Sequence, residues 1–284
     1  MPNTTARVPD KKARESSASR IERLSFHAVF GLLGALAIVL LVAPTVIVII
    51  TSFTNGFSLK FPPPGYSVRW YAALWNESPE IVNAAFLSVQ VAALSTGLSV
   101  LLGVAAAMAL ARRRDVLARV LDAVFMSPLM LPTLALGLAL LVLFNLSGQG
   151  LSMTTLVIGH IAITTPYILR TTSASLVQLP PAMIESARSL GASAWFTFRT
   201  VTLPLIAPGI SAGAFIAFMA SFDNVAISLF LSDARSEMLP IRLWHIIESN
   251  LDVRAAAVSG VLIGITVLAV IVMERVAGIS KHMR

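Results

Sequence analysis

The chain has 284 residues, of which 56% are hydrophobic and only 12% are charged. A water-soluble domain carries about 25% charged residues, so the composition indicates a protein whose solvent is the lipid bilayer. The formal net charge is +7, but the basic residues flank apolar runs, which is typical of a membrane orientation signal rather than a nucleic-acid-binding surface. The lack of cysteine excludes disulfides and thiol catalysis, and the scattered histidines do not have metal-ligand spacing.

The N-terminal segment 1–24 is polar and basic, and a long uncharged run follows it. That run exceeds the roughly 7–15 apolar residues of a secretory signal peptide, and no cleavage-like site precedes a soluble domain. We therefore predict a cytoplasmic tail over 1–24 that leads into a transmembrane domain over 25–284, whose first span is not cleaved.

Further along the chain, several apolar runs are long enough to cross a bilayer, which takes about 20 residues. The uncharged interval 123–169 is too long for one helix, and the turn-forming residues 145–150 divide it. Pro128, Pro132 and Pro166 lie inside these runs and would kink the helices. The sequence predicts an all-α integral membrane protein with six transmembrane helices, near 28–52, 82–110, 123–145, 153–178, 204–231 and 255–274.

Lys and Arg are unevenly distributed between the two sides of this arrangement. They are concentrated in the N-terminal tail, the 112–119 loop, the loop behind the fourth span and the C-terminal tail. They are sparse in the loops near 53–80 and 232–254. The positive-inside rule then places both termini and the loop 180–204 in the cytoplasm.

The loops on the opposite face carry aromatic residues, with Tyr66, Trp70, Tyr71 and Trp75 before the second span and Trp244 in the later loop. Two interpretations remain open at this point. These residues form an aromatic belt with an interfacial helix, or they form a platform for an external partner.

The loop 180–204 lies between two long apolar runs and contains the residues expected at helix ends. Pro181 suits the first turn of a helix over 182–190. Gly191 can adopt the positive φ that ends this helix. Ala187 lies four residues before Gly191, so one face of the helix has almost no side chains and permits close approach of a partner.

A second short helix is predicted over 194–200. Ser193 can cap its N-terminus, and Leu203 and Pro204 then begin the fifth span. The whole loop would form a stiff helical elbow that is mechanically continuous with two membrane helices.

Starting at Glu185, this loop carries the pattern Glu-x-Ala-x3-Gly-x9-Val-x-Leu-Pro. The pattern resembles the EAA loop of permease subunits in binding-protein-dependent ABC importers, whose usual form is Glu-Ala-Ala-x3-Gly-x9-Ile-x-Leu-Pro. The spacing matches throughout, with Ser186 in place of the second residue and Val201 in place of Ile. The resemblance extends over nearly the whole chain from the first span and implies the type I importer permease fold.

The resemblance also implies a role for the loop, which would dock in a cleft of a cytoplasmic ATPase subunit and transmit its closure to the membrane helices. Glu185 would serve as an ion-pair or capping group and Gly191 as the hinge. The residues that this role assigns to ATPase coupling are Glu185, Ser186, Ala187, Gly191, Ala192, Val201, Leu203 and Pro204.

A polar group inside a membrane span is costly and therefore often functional. Asp223 is the clearest case, and we predict that it lines the translocation path, with Asn224, Ser221, Asn83 and Tyr167 as further candidates. The string Ser-Phe-Asp-Asn resembles the corresponding region of spermidine/putrescine importer permeases, which often has two adjacent carboxylates. Because Asn224 replaces the second one, a polyamine or a related amine or amino-acid derivative remains open as the solute.

The chain has no G-x-x-x-x-G-K-[ST] motif, so it is not itself the ATPase. We expect it to be no enzyme and to bind no cofactor or metal, with ATP on a separate ATPase dimer. The resemblance further implies a second permease subunit, best fitting a heterodimer, a soluble solute-binding protein at the outer face, and a location in the bacterial inner membrane.

Two other classes of protein were weighed against this interpretation. A secondary transporter or channel that works alone would show inverted repeats and several paired intramembrane charges, which the sequence does not display. An integral-membrane enzyme would need a nucleophile–base pair or a His, Asp and Glu cluster at a common depth, and we find none in the sequence.

Overall fold

The computed structural model describes residues 17–277 except 112, 114, 234, 235 and 251. Regular structure in these residues is helical, apart from two isolated β-bridges, so the prediction of an all-α protein is confirmed for this part of the chain. In chain order the helices are α1 (Ser17–Ser52), α2 (Arg69–Asn76), α3 (Pro79–Leu110), α4 (Val116–Met130), α5 (Thr133–Leu146), α6 (Met153–Gln178), α7 (Pro181–Ser189), α8 (Ala194–Thr197), a π-helical turn (Phe198–Thr202), α9 (Leu203–Phe222), α10 (Val225–Leu231), α11 (Leu239–Asn250) and α12 (Val253–Ala277).

The chain divides into two compact units, Met1–Ile50 and Thr51–Arg284. Residues 1–16 of the predicted tail lie outside the described residues, and 17–24 form the start of α1. The mean hydropathy of α1 reaches 2.9, and its apolar side chains, such as Leu32 and Leu41, are exposed. This composition suits a helix surrounded by hydrocarbon.

The centre of the second unit is formed by α3, α6 and α9, which pack against one another. Small residues allow the backbones to approach closely, as is usual for helices packed inside a bilayer. A Cβ atom added to Gly103 would lie 2.7 Å from the Ile168 Cβ, and one added to Gly209 would lie 2.8 Å from the Thr171 carbonyl oxygen. The three helices therefore form a tight frame for the polar groups buried between them.

The predicted span over 123–145 is not one continuous helix, because the chain turns by 107° between α4 and α5. The bend lies at Leu131 and Pro132, where Leu131 has an extended backbone. Proline lacks an N–H donor and disfavours the helical conformation of the preceding residue, which explains the break.

The single span predicted over 204–231 is wrong at its outer part. Helix α9 ends at Phe222, and α10 begins at Val225. Asp223 and Asn224 form a corner between the two helices, so Asp223 lies at a helix end rather than within a continuous helix. At the other end, this span extends further than predicted, because the chain is helical without interruption from Ala194 to Phe222.

Among the described residues, four helices are long and apolar enough to cross a membrane, or five if the bent α4–α5 pair is one span. Helix α6 lies over the predicted fourth span but is not among them. Its composition explains this, because its buried face carries polar residues, including Thr155, His160, Thr164, Thr165 and Thr172. The total of six spans and the side of each terminus remain predictions.

Candidate functional site

The predicted loop 180–204 forms an elbow after α6. The elbow comprises Pro181–Pro204. Leu179 and Pro180 have extended backbones, which ends α6 and lets α7 begin at Pro181. None of the residues of α7 is buried. The first short helix predicted in this loop is therefore confirmed, and its surface is accessible.

The end of α7 is closed by the two hydrogen bonds of a Schellman motif. The Ala192 N–H donates to the Ala187 carbonyl at 3.1 Å, and the Gly191 N–H donates to the Arg188 carbonyl at 2.9 Å. Gly191 has a φ of +83°. Only a residue without a Cβ adopts that conformation without strain, so the expected helix-ending role of Gly191 is confirmed.

The second part of the elbow begins at Ser193, whose Oγ accepts a hydrogen bond from the Phe196 N–H at 3.2 Å. The predicted N-cap is therefore present. Beyond α8 the chain enters the π-helical turn and then α9, with Pro204 in its first turn. Because proline cannot donate to the preceding turn, the wider π geometry accommodates it without ending the helix.

The elbow presents a patch of exposed apolar side chains. Leu190 is 88% exposed and Trp195 is 68% exposed, and the other members of the patch are Met183 and Phe196. Exposed large apolar side chains such as these are available for contact with a partner or with lipid. Within the described part of the chain, the Glu185 carboxylate has no ion-pair partner, so it too can face a partner.

A cavity of 330 Å³ separates α7 from the bundle, with Glu185 and Arg188 of α7 on one side and Met108, Leu176 and Thr202 on the other. Helix α7 therefore rests against the helix bundle without being embedded in it. A displacement of α7 can reach the bundle along the chain itself, through α8 and the π-helical turn into α9.

The structure brings three of the predicted path residues together at the α9–α10 corner. Asp223 ends α9 and is exposed, and its N–H donates to the Met219 carbonyl. The Asn224 Oδ1 accepts a hydrogen bond of 2.7 Å from the Ile227 N–H, which caps α10. Ser221 is fully buried two residues before Asp223.

The other two predicted path residues lie elsewhere. Asn83 is exposed near the start of α3, and Tyr167 is half-buried on α6. Tyr167 follows His160 by seven residues on the same helix, which places it about 10 Å further along the helix axis. Within the described part of the chain, neither residue forms a hydrogen bond with the corner.

A buried histidine was missed by the sequence reasoning, which treated histidines only as metal ligands. His160 on α6 is fully buried, and its Nδ1 lies 2.8 Å from the Ser221 Oγ. The available signal was its position inside an apolar run that has no Asp, Glu, Lys or Arg. A polar ring in such a run needs hydrogen-bond partners from neighbouring helices.

A cluster of ionic side chains lies at the starts of α3, α11 and α12. The Arg254 guanidinium is 2.7 Å from an Asp252 carboxylate oxygen and 3.8 Å from Glu80, while Arg242 pairs with Glu237 at 3.2 Å. Burial raises the pKa of Asp252, but hydrogen bonds and the charge of Arg254 outweigh it, so the pKa lies below its ordinary value. This cluster ties the starts of the three helices together.

Two aromatic rings in the segment before α3 contact a cation. The Arg69 guanidinium lies 4.2 Å from the Phe57 ring centroid and 4.7 Å from that of Trp70. Tyr71 shares a hydrogen bond of 2.6 Å with Ser52. These contacts order the segment before α3, and its surface fits either an aromatic belt or a platform for a partner.

Comparison with known proteins shows that the chain is similar to membrane transport proteins. Residues 99–279 match the family model described as "Binding-protein-dependent transport system inner membrane component". The chain is 28% identical over 235 residues to the spermidine/putrescine transport system permease protein PotC of Escherichia coli K12, covering 82% of this chain and 88% of PotC. It is 29% identical over 231 residues to the putrescine transport system permease protein PotI of the same strain, covering 79% and 82%.

Among solved structures, the chain resembles one from a bacterial ABC transporter involved in the import of the acidic polysaccharide alginate. The TM-score is 0.71 at 14% identity, with 91% of this chain and 96% of the other covered. At that identity the likeness shows the fold, and the fold is that of type I ABC importer permeases.

Proposed function

Because the chain belongs to the family of binding-protein-dependent transport system inner membrane components, we propose that it forms half of the translocation path for a small amine-bearing solute. It is a permease subunit of an ABC importer. The observation that carries the proposal is the elbow, in which the exposed helix α7 is followed by a helix that runs without interruption from Ala194 through the π-helical turn to the end of α9.

In the proposed mechanism the elbow docks in a cleft of a separate ATPase subunit, where ATP is bound and hydrolysed. The apolar patch supplies the buried contact, and the Glu185 carboxylate supplies an ion pair. The uninterrupted helix from Ala194 to Phe222 has 29 residues, so it is roughly 43 Å long and reaches across a bilayer. Closure of the ATPase would thus move the Asp223 corner at the far end of the same helix.

The topology that fits this mechanism has six spans, with both termini and the elbow on the cytoplasmic side of a bacterial inner membrane. It counts α1, α3, α6, α9 and α12 as spans and the bent α4–α5 pair as a broken span. The concentration of Lys and Arg in the termini and in the loops on the elbow side supports this orientation.

The proposed solute is a polyamine or a related amine or amino-acid derivative. PotC and PotI, by their names, belong to transport systems for spermidine and putrescine. In this chain Asp223 supplies an exposed carboxylate at the α9–α10 corner, and a carboxylate attracts an ammonium group in a low-dielectric path. Asn224 beside it adds a neutral amide in place of a second charge.

Two further partners complete the proposal. A second permease subunit, in a heterodimer, would supply the other half of the path. A soluble solute-binding protein would deliver the solute to the outer face, where the aromatic segment and the ionic cluster are available for contact. In this arrangement the binding protein sets most of the selectivity.

Reconstitution of the permease pair with its ATPase and binding protein in proteoliposomes tests the proposed function. We expect accumulation of radiolabelled putrescine or spermidine that requires ATP, the ATPase and the binding protein. Uptake that continues when the ATPase is omitted would show that the chain transports alone. Titration of the binding protein with candidate amines by calorimetry identifies the solute independently of uptake.

A further inference from the structure

The buried ring of His160 joins the two sides of the Asp223–Asn224 corner. Its Nδ1 lies 2.8 Å from the Oγ of Ser221, two residues before Asp223. Its Nε2 lies 3.4 Å from the Oγ of Ser228, in the first turn of α10. Each ring nitrogen therefore has a hydroxyl partner from a different side of the corner.

The Ser228 side of this network reaches the backbone of the corner. The Ser228 hydroxyl donates to the Asn224 carbonyl at 2.6 Å. Because that proton is used, the Ser228 oxygen is left to accept from the His160 Nε2–H, and the Nδ1 of the same neutral ring then accepts from Ser221. In this tautomer the ring supports α9 and α10 at once.

The Ser221 side is anchored to a third helix. Because the Ser221 proton goes to His160, the Ser221 oxygen accepts from the Ser95 hydroxyl of α3 at 3.0 Å, and Ser95 shares that proton with the Val91 carbonyl at 2.7 Å. Ser95, Ser221 and Ser228 are all fully buried, as is the ring of His160. A buried polar network whose members have partners rigidifies the elements that it joins.

We propose that His160 is a positioning residue of the translocation path, which orients the Asp223 carboxylate by holding both ends of the corner. This role rests on the proposed function, in which Asp223 meets the solute. His160 itself is sealed from solvent and acts through Ser221 and Ser228. A histidine that served only to fill the core would not need hydrogen-bond partners on both sides of Asp223, which is the one acidic residue in the predicted fifth span.

A double-mutant cycle in the uptake assay tests this role, with His160→Ala made in the wild-type and the Asp223→Asn backgrounds. We expect His160→Ala to lower the uptake rate by about tenfold in the wild type and less than about twofold beside Asp223→Asn, because coupled residues are not additive. An equal loss in both backgrounds, or no loss from Asp223→Asn alone, overturns the proposal.

Two conservative variants distinguish the two hydrogen bonds of the His160 ring, the one to Ser221 and the one to Ser228. The amide of asparagine reaches the place of Nδ1, and the longer amide of glutamine reaches the place of Nε2. The hydrogen bond to Ser221 is shorter than the one to Ser228, at 2.8 Å against 3.4 Å. We therefore expect His160→Asn to retain more uptake than His160→Gln. Equal activity of His160→Ala and His160→Asn contradicts the positioning role.

Thr165→Val is the matched control, since Thr165 is buried on α6 and its hydroxyl donates to the Ser99 Oγ of α3 at 3.1 Å, without a bond to His160. It removes a buried hydroxyl without contacting the corner. We expect its effect on the uptake rate to be additive with that of Asp223→Asn. A coupling as large as that of His160 would assign the effect to the α3–α6 interface in general and overturn the proposal.

A second measurement needs no transport. The chain has no cysteine, so Asp223→Cys provides a single thiol whose labelling by a water-soluble maleimide reports the exposure of the corner. We expect His160→Ala to change the labelling rate severalfold and Thr165→Val to leave it unchanged, with membrane levels matched. An unchanged rate in His160→Ala overturns the positioning role, whereas missing ATP-driven uptake in the wild type would instead reject the proposed function.

Discussion

The Ala192 N–H donates to the Ala187 carbonyl at 3.1 Å, and this bond closes α7, a helix in which no residue is buried. The bond forms because Gly191, between the two residues, has a φ of +83°. The shape of the elbow therefore depends on one backbone conformation.

Replacing Gly191 by valine should distort the end of α7 and weaken coupling to the ATPase. A β-branched residue at positive φ costs about 1–3 kcal/mol, which here would open the Schellman bonds. We expect a severalfold loss of ATPase copurification with normal membrane insertion. Gly148→Val is the control, because Gly148 has a similar φ of +71° outside the elbow. Normal ATPase coupling in Gly191→Val would refute the hinge role.

Truncating the apolar patch should weaken ATPase binding without destabilising the permease. Trp195 is 68% exposed, so Trp195→Ala removes little packing within this chain. Contact residues of this size contribute about 2 kcal/mol or more to an interface, and we expect the affinity for the purified ATPase to fall at least tenfold. Trp75→Ala is the control, since Trp75 is 77% exposed away from the elbow. Equal affinities of the two variants for the ATPase would show that the patch is not part of the interface.

Neutralising the corner carboxylate should slow the uptake of a cationic solute. Asp223→Asn keeps the size of the side chain and removes its charge, so the attraction for an ammonium group is lost. We expect a higher KM for the solute-loaded binding protein or a lower rate, at a normal membrane level. Glu248→Gln, at an exposed acid of α11, controls for net charge. Unchanged uptake would leave Asp223 with a structural role only.

Adding a side chain between α6 and α9 should destabilise the frame. A Cβ on Gly209 would lie 2.8 Å from the Thr171 carbonyl oxygen, and backbone atoms there cannot rotate away. Overpacking of this kind costs about 1–3 kcal/mol or more. We expect Gly209→Leu to lower the thermal midpoint in detergent, whereas Gly97→Leu, which has open space, should not. The reverse order would contradict the packing described above.

The Asp252–Arg254 pair should make stability depend on pH in the acid range. The folded pKa of Asp252 lies below its ordinary value of 3.8. The pair therefore stabilises the fold above that value, and the stabilisation is lost as pH falls through the folded pKa. Wild type should be more stable than Asp252→Asn at neutral pH, and the two should converge as pH drops below about 4. A constant difference in thermal midpoint across this range would contradict the assignment.

The elbow could be predicted from the sequence because its structure is set by local chemistry. Pro181, Gly191 and Ser193 each act on the backbone within a few residues of themselves, so a pattern of that length contains the information. The break between α4 and α5 was also signalled by Pro132. Only the choice between a kink and a full break was missed.

The corner at Asp223 could not be predicted in the same way. The end of α9 is held by Ser95 and His160, which lie 126 and 61 residues away from Ser221 in the chain. Asn224 is a favoured N-cap residue and marks a helix boundary locally, but no local pattern identifies the distant residues that hold the end of α9. The role of His160 depends on contacts between four helices and appears only when the chain is folded.

The π-helical turn at Phe198–Thr202 adds one residue to the helix between α8 and α9. One residue corresponds to about 100° of rotation about the helix axis. Trp195 and Phe196 therefore point in a different direction from the one that uninterrupted α-helical spacing from α9 would give them. The direction of the side chains proposed to face the ATPase is thus offset by this turn from the direction with which α9 packs on α3 and α6.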